Sequence, residues 1–213
     1  MLHDNGLIDA LLFIVVLAPS VILHEVAHGV VAARLGDPTA RDAGRLTLNP
    51  IKHIDPFGSI ILPGMLALAR QNVFGWAKPV PVNPSRFEHP TRGMALTALA
   101  GPATNLSLAL LIGRLGPFTQ TATGFGSMSG GLWVDLLWGF LVVNVALAVF
   151  NMLPIPPLDG SRLLPLVLSQ QGRMAYAKLS QYGFLILVVL LFVFEDSLRF
   201  LGDWIAALLR FVV

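Results

Sequence analysis

Cysteine is absent from the 213 residues of the chain, and charged residues are scarce. Without cysteine the chain can form neither a disulfide framework nor a thiolate metal site. Asp, Glu, Lys and Arg make up 12% of the sequence, whereas soluble domains typically contain about 25%. Hydrophobic residues make up 55% and the mean hydropathy is +0.73, which excludes an intrinsically disordered chain. The composition therefore predicts an integral membrane protein.

The net charge is also small. It is +2 and is spread along the whole chain, so we expect no nucleic-acid partner. The first six residues contain no Lys or Arg, and the apolar stretch that follows is far longer than the h-region of a signal peptide. We therefore expect the N-terminal segment to be retained rather than removed as a signal.

Four segments are apolar and long enough to form transmembrane helices. They are residues 7–35, 94–115, 132–153 and, with weaker hydropathy, 174–194. Residues 57–69 are apolar but too few to cross a bilayer, so we expect a re-entrant or short membrane segment. Alternating prolines in residues 76–83 exclude a helix and predict an extended, β-like segment. Arg199, Asp203 and Arg210 lie on one side of an apolar pattern, which predicts a C-terminal interfacial or spanning helix.

Together these segments predict an all-α polytopic membrane protein with about four full spans. We expect one membrane-embedded domain over residues 1–213, with a core at 7–165 and C-terminal helices at 174–213. Residues 116–131 are rich in Gly, Thr and Ser and are expected to form a loop. The sequence contains no internal repeat that would indicate a second domain.

The distribution of Lys and Arg predicts the orientation. If residues 57–69 are re-entrant, residues 34–92 and 154–178 lie on one side of the membrane with nearly all of the positive charge. The N-terminus and residues 116–131 then lie on the other side with none. We therefore expect the charged loops to be cytoplasmic and the N-terminus to be outside.

The strongest chemical signal is His24-Glu25-Val26-Ala27-His28 within the first apolar segment. Histidines four residues apart lie on one helix face, so both imidazoles can bind one zinc ion. Glu25 follows the first histidine, where its carboxylate can deprotonate a zinc-bound water. Two buried histidines satisfied by neighbouring helices are the alternative, but ionisable residues inside a membrane helix are usually functional.

A catalytic zinc keeps one position for water, so a third protein ligand is needed. The other glutamates, Glu88 and Glu195, lie in a loop and at the far end of the last span. Three aspartates lie in the polar loop after the first helix: Asp37, Asp42 and Asp55. Asp159 lies at the end of a span in a proline-rich stretch, where irregular backbone lines a cavity or is buried in protein. Asp159 is therefore the best-placed candidate, and an ordinary turn at Asp159-Gly160 is the alternative.

Asparagines within the spans are the remaining candidates. Asn144 and Asn151 are seven residues apart and share a helix face, while Asn105 lies in the second span. Such side chains can hydrogen-bond a substrate or an oxyanion, and they serve equally well as contacts between helices. His53 is expected near the cytoplasmic surface, solvated or beside the metal ligands.

These motifs resemble the site-2 protease family of zinc intramembrane metalloproteases, in its short prokaryotic branch without a PDZ or CBS domain. The motifs that carry the resemblance are His24-Glu25-x-x-His28, Asn49-Pro50-x-x-His53-x-Asp55-Pro56, Gly75-Trp76-Ala77-Lys78-Pro79-Val80-Pro81, Gly101-Pro102-Ala103-Thr104-Asn105 and Asn151-Met152-Leu153-Pro154-Ile155-Pro156-Pro157-Leu158-Asp159-Gly160. The resemblance covers about residues 20–165, with all motifs in the same order.

The resemblance implies one zinc ion per chain, bound by His24, His28 and Asp159, with Glu25 as the general base. It also implies that Asn151 and Asn144 contact the substrate or stabilise the oxyanion. The implied activity is cleavage of transmembrane helices of other proteins, so the expected partners are a transmembrane protein substrate and the lipid bilayer. The implied location is the plasma membrane of a prokaryote, with a multi-pass chain whose active site faces the cytoplasmic side. Oligomeric state is left open.

Three alternatives remain open at this point. A non-proteolytic zinc-binding transporter would need polar groups across several spans, whereas here they cluster at one depth. A zinc-binding scaffold has no need for Glu25, which is not a ligand. A zinc protease acting on prenylated or soluble peptides would normally use a glutamate as its third ligand. Within the protease hypothesis, residues 76–83 are expected to bind an unwound substrate by strand addition.

Overall fold

The computed structural model describes residues 6–68, 75–121, 124–127, 131–192 and 199–213. Its α-helices are α1 Gly6–Arg34, α2 Thr39–Asp42, α3 Leu62–Leu68, α4 Pro90–Leu115, α5 Leu132–Asn151, α6 Leu164–Val167, α7 Gln170–Ser180, α8 Gly183–Phe192 and α9 Arg199–Val212. Short 3₁₀ helices cover Pro50–His53, Pro84–Arg86 and Asp159–Leu163, and a π-helical turn covers Pro56–Ile61. The strands are β1 Phe118–Thr121 and β2 Gly124–Ser127.

Three of the described helices are long and apolar enough to cross a membrane. They are Leu12–Arg34 of α1, α4 and α5. The shortest, α5, has 20 residues and is therefore about 30 Å long, which matches the hydrocarbon core of a bilayer. Helices that could cross a membrane thus occupy three of the four predicted spans.

Polar contacts between the three long helices fix their relative directions. His24 contacts Asn105 while His28 contacts Thr97, so α1 and α4 are antiparallel. Val16 lies beside Gly139 while Ser20 bonds to Asn144, so α1 runs in the same direction as α5. The end of α1, the start of α4 and the end of α5 therefore lie at one end of the bundle. Apolar side chains of α4, α5 and α9 form its main core, made of Ala109, Leu141, Val145, Val149, Leu209 and Val212.

The predicted fourth span at residues 174–194 is not confirmed. The structure divides this region into α7 and α8, separated by a turn at residues 181–182. Gln170–Ser180 is too polar for a span, with exposed Arg173 and Lys178. The backbone of Gly183 lies so close to Pro156 that a Cβ atom at position 183 would overlap it. This contact sets the start of α8 beside the end of α5, nine residues later than predicted for the span.

The short apolar segment is also helical. Pro56–Ile61 and Leu62–Leu68 form 13 consecutive residues of π- and α-helix, about 20 Å, which is less than a bilayer core. Its predicted end at residue 69 lies outside the described residues. The length agrees with the expectation of a short segment, and its re-entrant course stays a prediction.

Residues 75–83 form no helix, as expected, and the described chain assigns them no β-ladder either. Their N–H groups bond to loops and side chains: Trp76 N donates to Gly58 O and Lys78 N to His53 O. The only paired strands in the described residues lie in the region expected to be a loop, where Phe118 pairs with Ser127 and Thr121 with Gly124. The fold is therefore mostly helical, with one small antiparallel hairpin as the exception to the all-α prediction.

The C-terminal helix α9 has 14 residues, about 21 Å, so it is too short to span a bilayer alone. Its buried residues Leu209 and Val212 pack on α4 and α5. The backbone carbonyl of Val212 lies against Gly113 near the end of α4, and Arg114 donates to the carbonyl of Phe211 at 3.0 Å. Helix α9 is therefore packed along the bundle at the end opposite to Gly183.

Candidate metal centre

The proposed metal ligands come from two places in the fold. His24 and His28 project from the same face of α1, one turn apart, with 6% and 8% of their surfaces exposed. Asp159 begins the 3₁₀ helix after α5. The backbone of Gly160 lies directly against the carbonyl of Met152, with no room for a Cβ atom. This close approach of the backbone after α5 places the Asp159 carboxylate beside His24 and His28 of α1.

Three donor atoms converge between α1 and this turn. Oδ2 of Asp159 lies 3.0 Å from Nε2 of His24 and 3.2 Å from Nε2 of His28. The two Nε2 atoms are 3.0 Å apart. In a tetrahedral zinc site with bonds of 2.0 to 2.1 Å, donor atoms lie about 3.3 Å apart. The three atoms therefore form a triangle of nearly the size that zinc requires.

Hydrogen bonds on the far side of each imidazole support the same interpretation. Nδ1 of His28 lies 2.7 Å from the carbonyl of Thr97, and Nδ1 of His24 lies 2.6 Å from Oδ1 of Asn105. A carbonyl only accepts, so a neutral His28 carries its proton on Nδ1 and has a bare lone pair on Nε2. Oδ2 of Asp159 is buried and receives no hydrogen bond from the described residues. A cation fits this donor set, since lone pairs would otherwise face one another.

Gly101 of α4 provides space beside the ligands. A Cβ atom at this position would lie 2.5 Å from Nε2 of His24 and 2.6 Å from Nε2 of His28. These distances are shorter than any van der Waals contact, so a side chain here would collide with both metal-binding nitrogens. The adjacent Pro102 has no N–H to donate to the preceding turn. The second span thus passes the metal centre with its least bulky residue.

The charge of Asp159 suits a metal ligand. Burial raises the pKa of Asp159, but with no metal bound, ion pairs with the imidazolium forms of His24 and His28 outweigh burial and lower the pKa to about 2. The carboxylate is therefore ionised at neutral pH, which is the form that binds a metal.

Glu25 lies beside the triangle rather than in it. Its carboxylate is within 4.8 Å of the ligand nitrogens of both histidines. Oε2 accepts a hydrogen bond of 2.8 Å from the backbone N–H of Val80, and Oε1 bonds to no described residue. Oδ2 of Asp159 contacts both Nε2 atoms directly, whereas Oε2 of Glu25 is bonded to Val80.

Asn144 and Asn151, which the sequence places on one helix face, have different surroundings in the structure. Asn144 is completely buried, and both N–H groups of its amide are used, by Ser20 Oγ and the carbonyl of Phe140. Both N–H groups are therefore engaged behind the histidines, and a role of Asn144 toward a substrate or an oxyanion stays a prediction. Asn151 is half-buried and donates one N–H to the carbonyl of Leu147, which leaves its second N–H available.

Sequence reasoning missed several contacts at this centre. His53 is 3% exposed and donates from Nε2 to the carbonyl of Thr47, so it is not solvated. The carbonyl of Thr97 and the N–H of Val80 are backbone groups, for which the sequence carries no signal. Asn105 did carry a signal, since it ends the motif that begins at Gly101.

Comparisons with known proteins identify the family of the chain. The family model of peptidase family M50 matches residues 116–194, which include Asp159. The chain is 39% identical over 186 residues to "Putative zinc metalloprotease YwhC" of Bacillus subtilis, covering 83% of this chain and 78% of the relative. It is 38% identical over 185 residues to "Putative zinc metalloprotease Rip2" of Mycolicibacterium smegmatis, covering 84% and 67%.

A third relative, "Putative zinc metalloprotease Rip2" of Mycobacterium tuberculosis, is 33% identical over 171 residues, covering 80% of this chain and 62% of the relative. No solved structure gives a significant match. The relatives are named for a zinc-dependent metalloprotease, and the converging donor atoms are of the type that zinc prefers. The chain therefore belongs to peptidase family M50, the site-2 protease family that its motifs resemble.

Proposed function

We propose that the protein is a zinc-dependent intramembrane endopeptidase that hydrolyses peptide bonds in or near transmembrane helices of membrane-protein substrates. The observation that carries this proposal is the convergence of Nε2 of His24, Nε2 of His28 and Oδ2 of Asp159 within 3.2 Å of one another. Two of these atoms belong to a helix that is long and apolar enough to cross a membrane.

The position of the centre supports an intramembrane substrate. His24 lies 12 residues after Leu12, about 18 Å along the apolar part of α1. On the same helix Phe13, Ile14 and Val15 are more than half exposed, as expected for side chains that face lipid. A peptide bond must therefore reach the centre between membrane helices. We place the centre near the cytoplasmic face of a prokaryotic plasma membrane, on the basis of the Lys and Arg distribution.

The proposed mechanism assigns one task to each side chain. His24, His28 and Asp159 would hold a zinc ion, which when bound supplies a Lewis acid and an activated water. Glu25 accepts the proton of the attacking water through Oε1 and returns it to the leaving amine. Val80 N–H holds Oε2 and keeps the carboxylate oriented. Asn151 has one N–H available for the developing oxyanion.

Residues 75–83 are proposed to bind the unwound substrate. Trp76, Lys78 and Val80 direct their N–H groups toward the protein, to Gly58, His53 and Glu25. Pro79 and Pro81 have no N–H, so the other edge of this segment offers mainly carbonyl acceptors. Such an edge suits the N–H groups of a substrate that has lost its own helix. An N-methyl group on the substrate amides that face this edge is expected to prevent cleavage.

The decisive experiment compares wild type with Glu25→Gln in liposomes for zinc content and for cleavage of transmembrane substrates. Glutamine keeps an oxygen for Val80 N–H but cannot take a proton. We expect about one zinc per chain in both proteins, and cleavage reduced at least 100-fold in the variant. If both proteins bind zinc and neither cleaves any of several helix-bearing substrates, a zinc-binding transporter or scaffold explains the centre better.

A further inference from the structure

Three completely buried polar side chains lie behind His24, one on each long helix. Ser20 of α1, Asn105 of α4 and Asn144 of α5 have 0% of their surfaces exposed. They form one connected set of hydrogen bonds that ends at Nδ1 of His24. Buried polar groups in an apolar bundle are unfavourable unless every one is satisfied, so the direction of each bond can be worked out.

Backbone carbonyls set that direction, because a carbonyl can only accept. The hydroxyl of Ser20 donates to the carbonyl of Val16 at 2.8 Å, so its oxygen is left to accept from Nδ2 of Asn144 at 2.9 Å. Nδ2 of Asn144 also donates to the carbonyl of Phe140 at 2.8 Å. The amide of Asn144 is thereby oriented, and its Oδ1 must accept the 2.8 Å bond from Nδ2 of Asn105.

The orientation of Asn105 follows independently. Its Nδ2 also lies 3.3 Å from the carbonyl of Ser20, which again requires the amide nitrogen on that side. Oδ1 of Asn105 therefore faces Nδ1 of His24 at 2.6 Å, and it can only accept. A neutral His24 must carry its proton on Nδ1, so that Nε2 has a free lone pair.

We propose that Asn105, oriented by Asn144 and Ser20, is a positioning residue that fixes the tautomer and ring orientation of His24 for metal binding. The carbonyls of Val16, Ser20 and Phe140 impose one direction on the whole chain of bonds. Nε2 is consequently prepared for the metal before the metal arrives. His28 needs no such chain, because it donates directly to the carbonyl of Thr97. Asn144 acts two hydrogen bonds away from His24.

This proposal concerns metal affinity and does not depend on proteolysis. A purely structural role between helices predicts that variants lose stability without a change in zinc affinity of the folded protein. A positioning role predicts that zinc affinity is kept when residue 105 can accept a hydrogen bond from Nδ1 of His24 and falls when it cannot. Partners that orient ligand histidines typically change metal affinity by about 10- to 100-fold.

The experiment measures the dissociation constant of zinc by competition with a chelator, in detergent, alongside thermal melting. Asn105→Leu removes the acceptor, and we expect zinc binding about 10- to 100-fold weaker. Asn105→Asp keeps an acceptor but opposes Oδ1 of Asn144, so we expect a lower melting temperature with zinc affinity close to wild type. Ser107→Ala is the control, because Ser107 is exposed on the same helix and bonds only to Ala103.

Equal zinc affinity in wild type and folded Asn105→Leu overturns the proposal. So does zinc binding in Asn105→Asp that is as weak as in Asn105→Leu. If Asn105→Leu does not fold, nitrogen-15 NMR of histidine-labelled, metal-free wild type decides. A proton on Nδ1 of His24 supports the proposal, and a proton on Nε2 contradicts it.

Discussion

Gly101 is the residue of α4 that lies against both metal-binding histidines. A Cβ atom at this position would lie 2.5 Å from Nε2 of His24, so only glycine leaves enough space. No rotamer change of the glycine's neighbours relieves this overlap, because both imidazoles are held at Nδ1. A single methyl group at this position therefore acts on the metal ligands directly.

We predict that Gly101→Ala loses bound zinc while the protein keeps its helical content. Alanine stabilises a helix by about 1 kcal/mol relative to glycine, so α4 itself should not unfold. Zinc content by atomic absorption and circular dichroism measure the two effects separately. Gly202→Ala in α9 is the matched control, since a Cβ atom there meets nothing within 4 Å. Full zinc content in Gly101→Ala would contradict the geometry of the centre.

The spacing and surroundings of His24, Glu25, His28 and Asp159 singled out side chains that the structure brings together, and their roles stay a prediction. The sequence was not sufficient to predict the neighbours of Asn144. Its seven-residue spacing from Asn151 correctly places both on one helix face, but spacing does not say which neighbour the face meets. Ser20, which accepts from Asn144, is more than a hundred residues earlier in the chain, and only packing of α1 on α5 reveals the pair.

At the scale of elements, the non-helical residues 75–83 connect the loops to Glu25. Lys78 O accepts from buried Arg45 at 2.7 Å, and Val80 N donates to Glu25 at 2.8 Å. Asn83 N donates to Asp37 at 2.6 Å. The segment is thus anchored at several points along its length and holds the general base at one of them.

We predict that Val80→Pro slows cleavage by roughly 10- to 100-fold with little change in zinc content, because Glu25 loses the N–H that orients it. Val80→Ala keeps that N–H and is expected to cleave close to the wild-type rate. The measurement is kcat on a transmembrane substrate together with zinc per chain. Equal rates for the proline and alanine variants would show that this hydrogen bond does not orient the base.

Asp37 anchors the other end of the segment and makes its stability pH-dependent. Burial raises the pKa of Asp37, but hydrogen bonds from Thr39 and Asn83 outweigh burial and leave the pKa below its ordinary value. A lowered pKa in the folded state stabilises the protein above the ordinary pKa of about 3.9. This stabilisation is lost as pH falls through the folded-state pKa.

Asp37→Asn is therefore expected to lower the melting temperature at pH 7, and the difference from wild type should shrink below about pH 4. Thermal melting in detergent from pH 7 to pH 3 checks this expectation. Asp42→Asn is the control, because Asp42 is exposed and its nearest ion-pair contact, with Arg41, is 3.7 Å long. A difference that stays constant down to pH 3 would rule out the carboxylate as its source.

The error at residues 174–194 also belongs to the element scale. Hydropathy alone extended a span back through Lys178, but Gly183 is held against Pro156, and this tertiary contact decides where the helix begins. For residues 75–83 the local structure was predictable from sequence, and the tertiary contacts were not. The prolines of this segment correctly excluded a helix, whereas its bonds to Glu25 and Asp37 depend on the ends of α1 and were not readable from sequence.

At the scale of the whole molecule, the start of α8 and the end of α9 lie at opposite ends of the bundle. Gly183 lies beside Pro156 at one end, and Val212 lies beside Gly113 at the other. Residues 193–198 between the two helices lie outside the described residues. We propose a fourth crossing with Gly183 at one end and Val212 at the other, which begins nine residues later than the sequence indicated.

Labelling of single cysteines from each side of a membrane tests this topology, and the natural absence of cysteine removes any background. We expect Ser85→Cys and Tyr182→Cys to react from the cytoplasmic side. Leu132→Cys and Phe211→Cys should react from outside. All four positions are exposed. Reaction of Ser85→Cys from outside would reverse the orientation, and reaction of Phe211→Cys from the cytoplasm would exclude the fourth crossing.

The ligands that meet in space are far apart along the chain, with two on the first long helix and the third beyond α5. During synthesis the first helix enters the membrane carrying Glu25 and both histidines, but no carboxylate yet completes the set. The nascent chain consequently cannot assemble a three-ligand centre until α5 has been inserted and the turn at Asp159 has closed. Because α1 is synthesised before α5, the proposed protease could not become active until the helices around the centre have assembled.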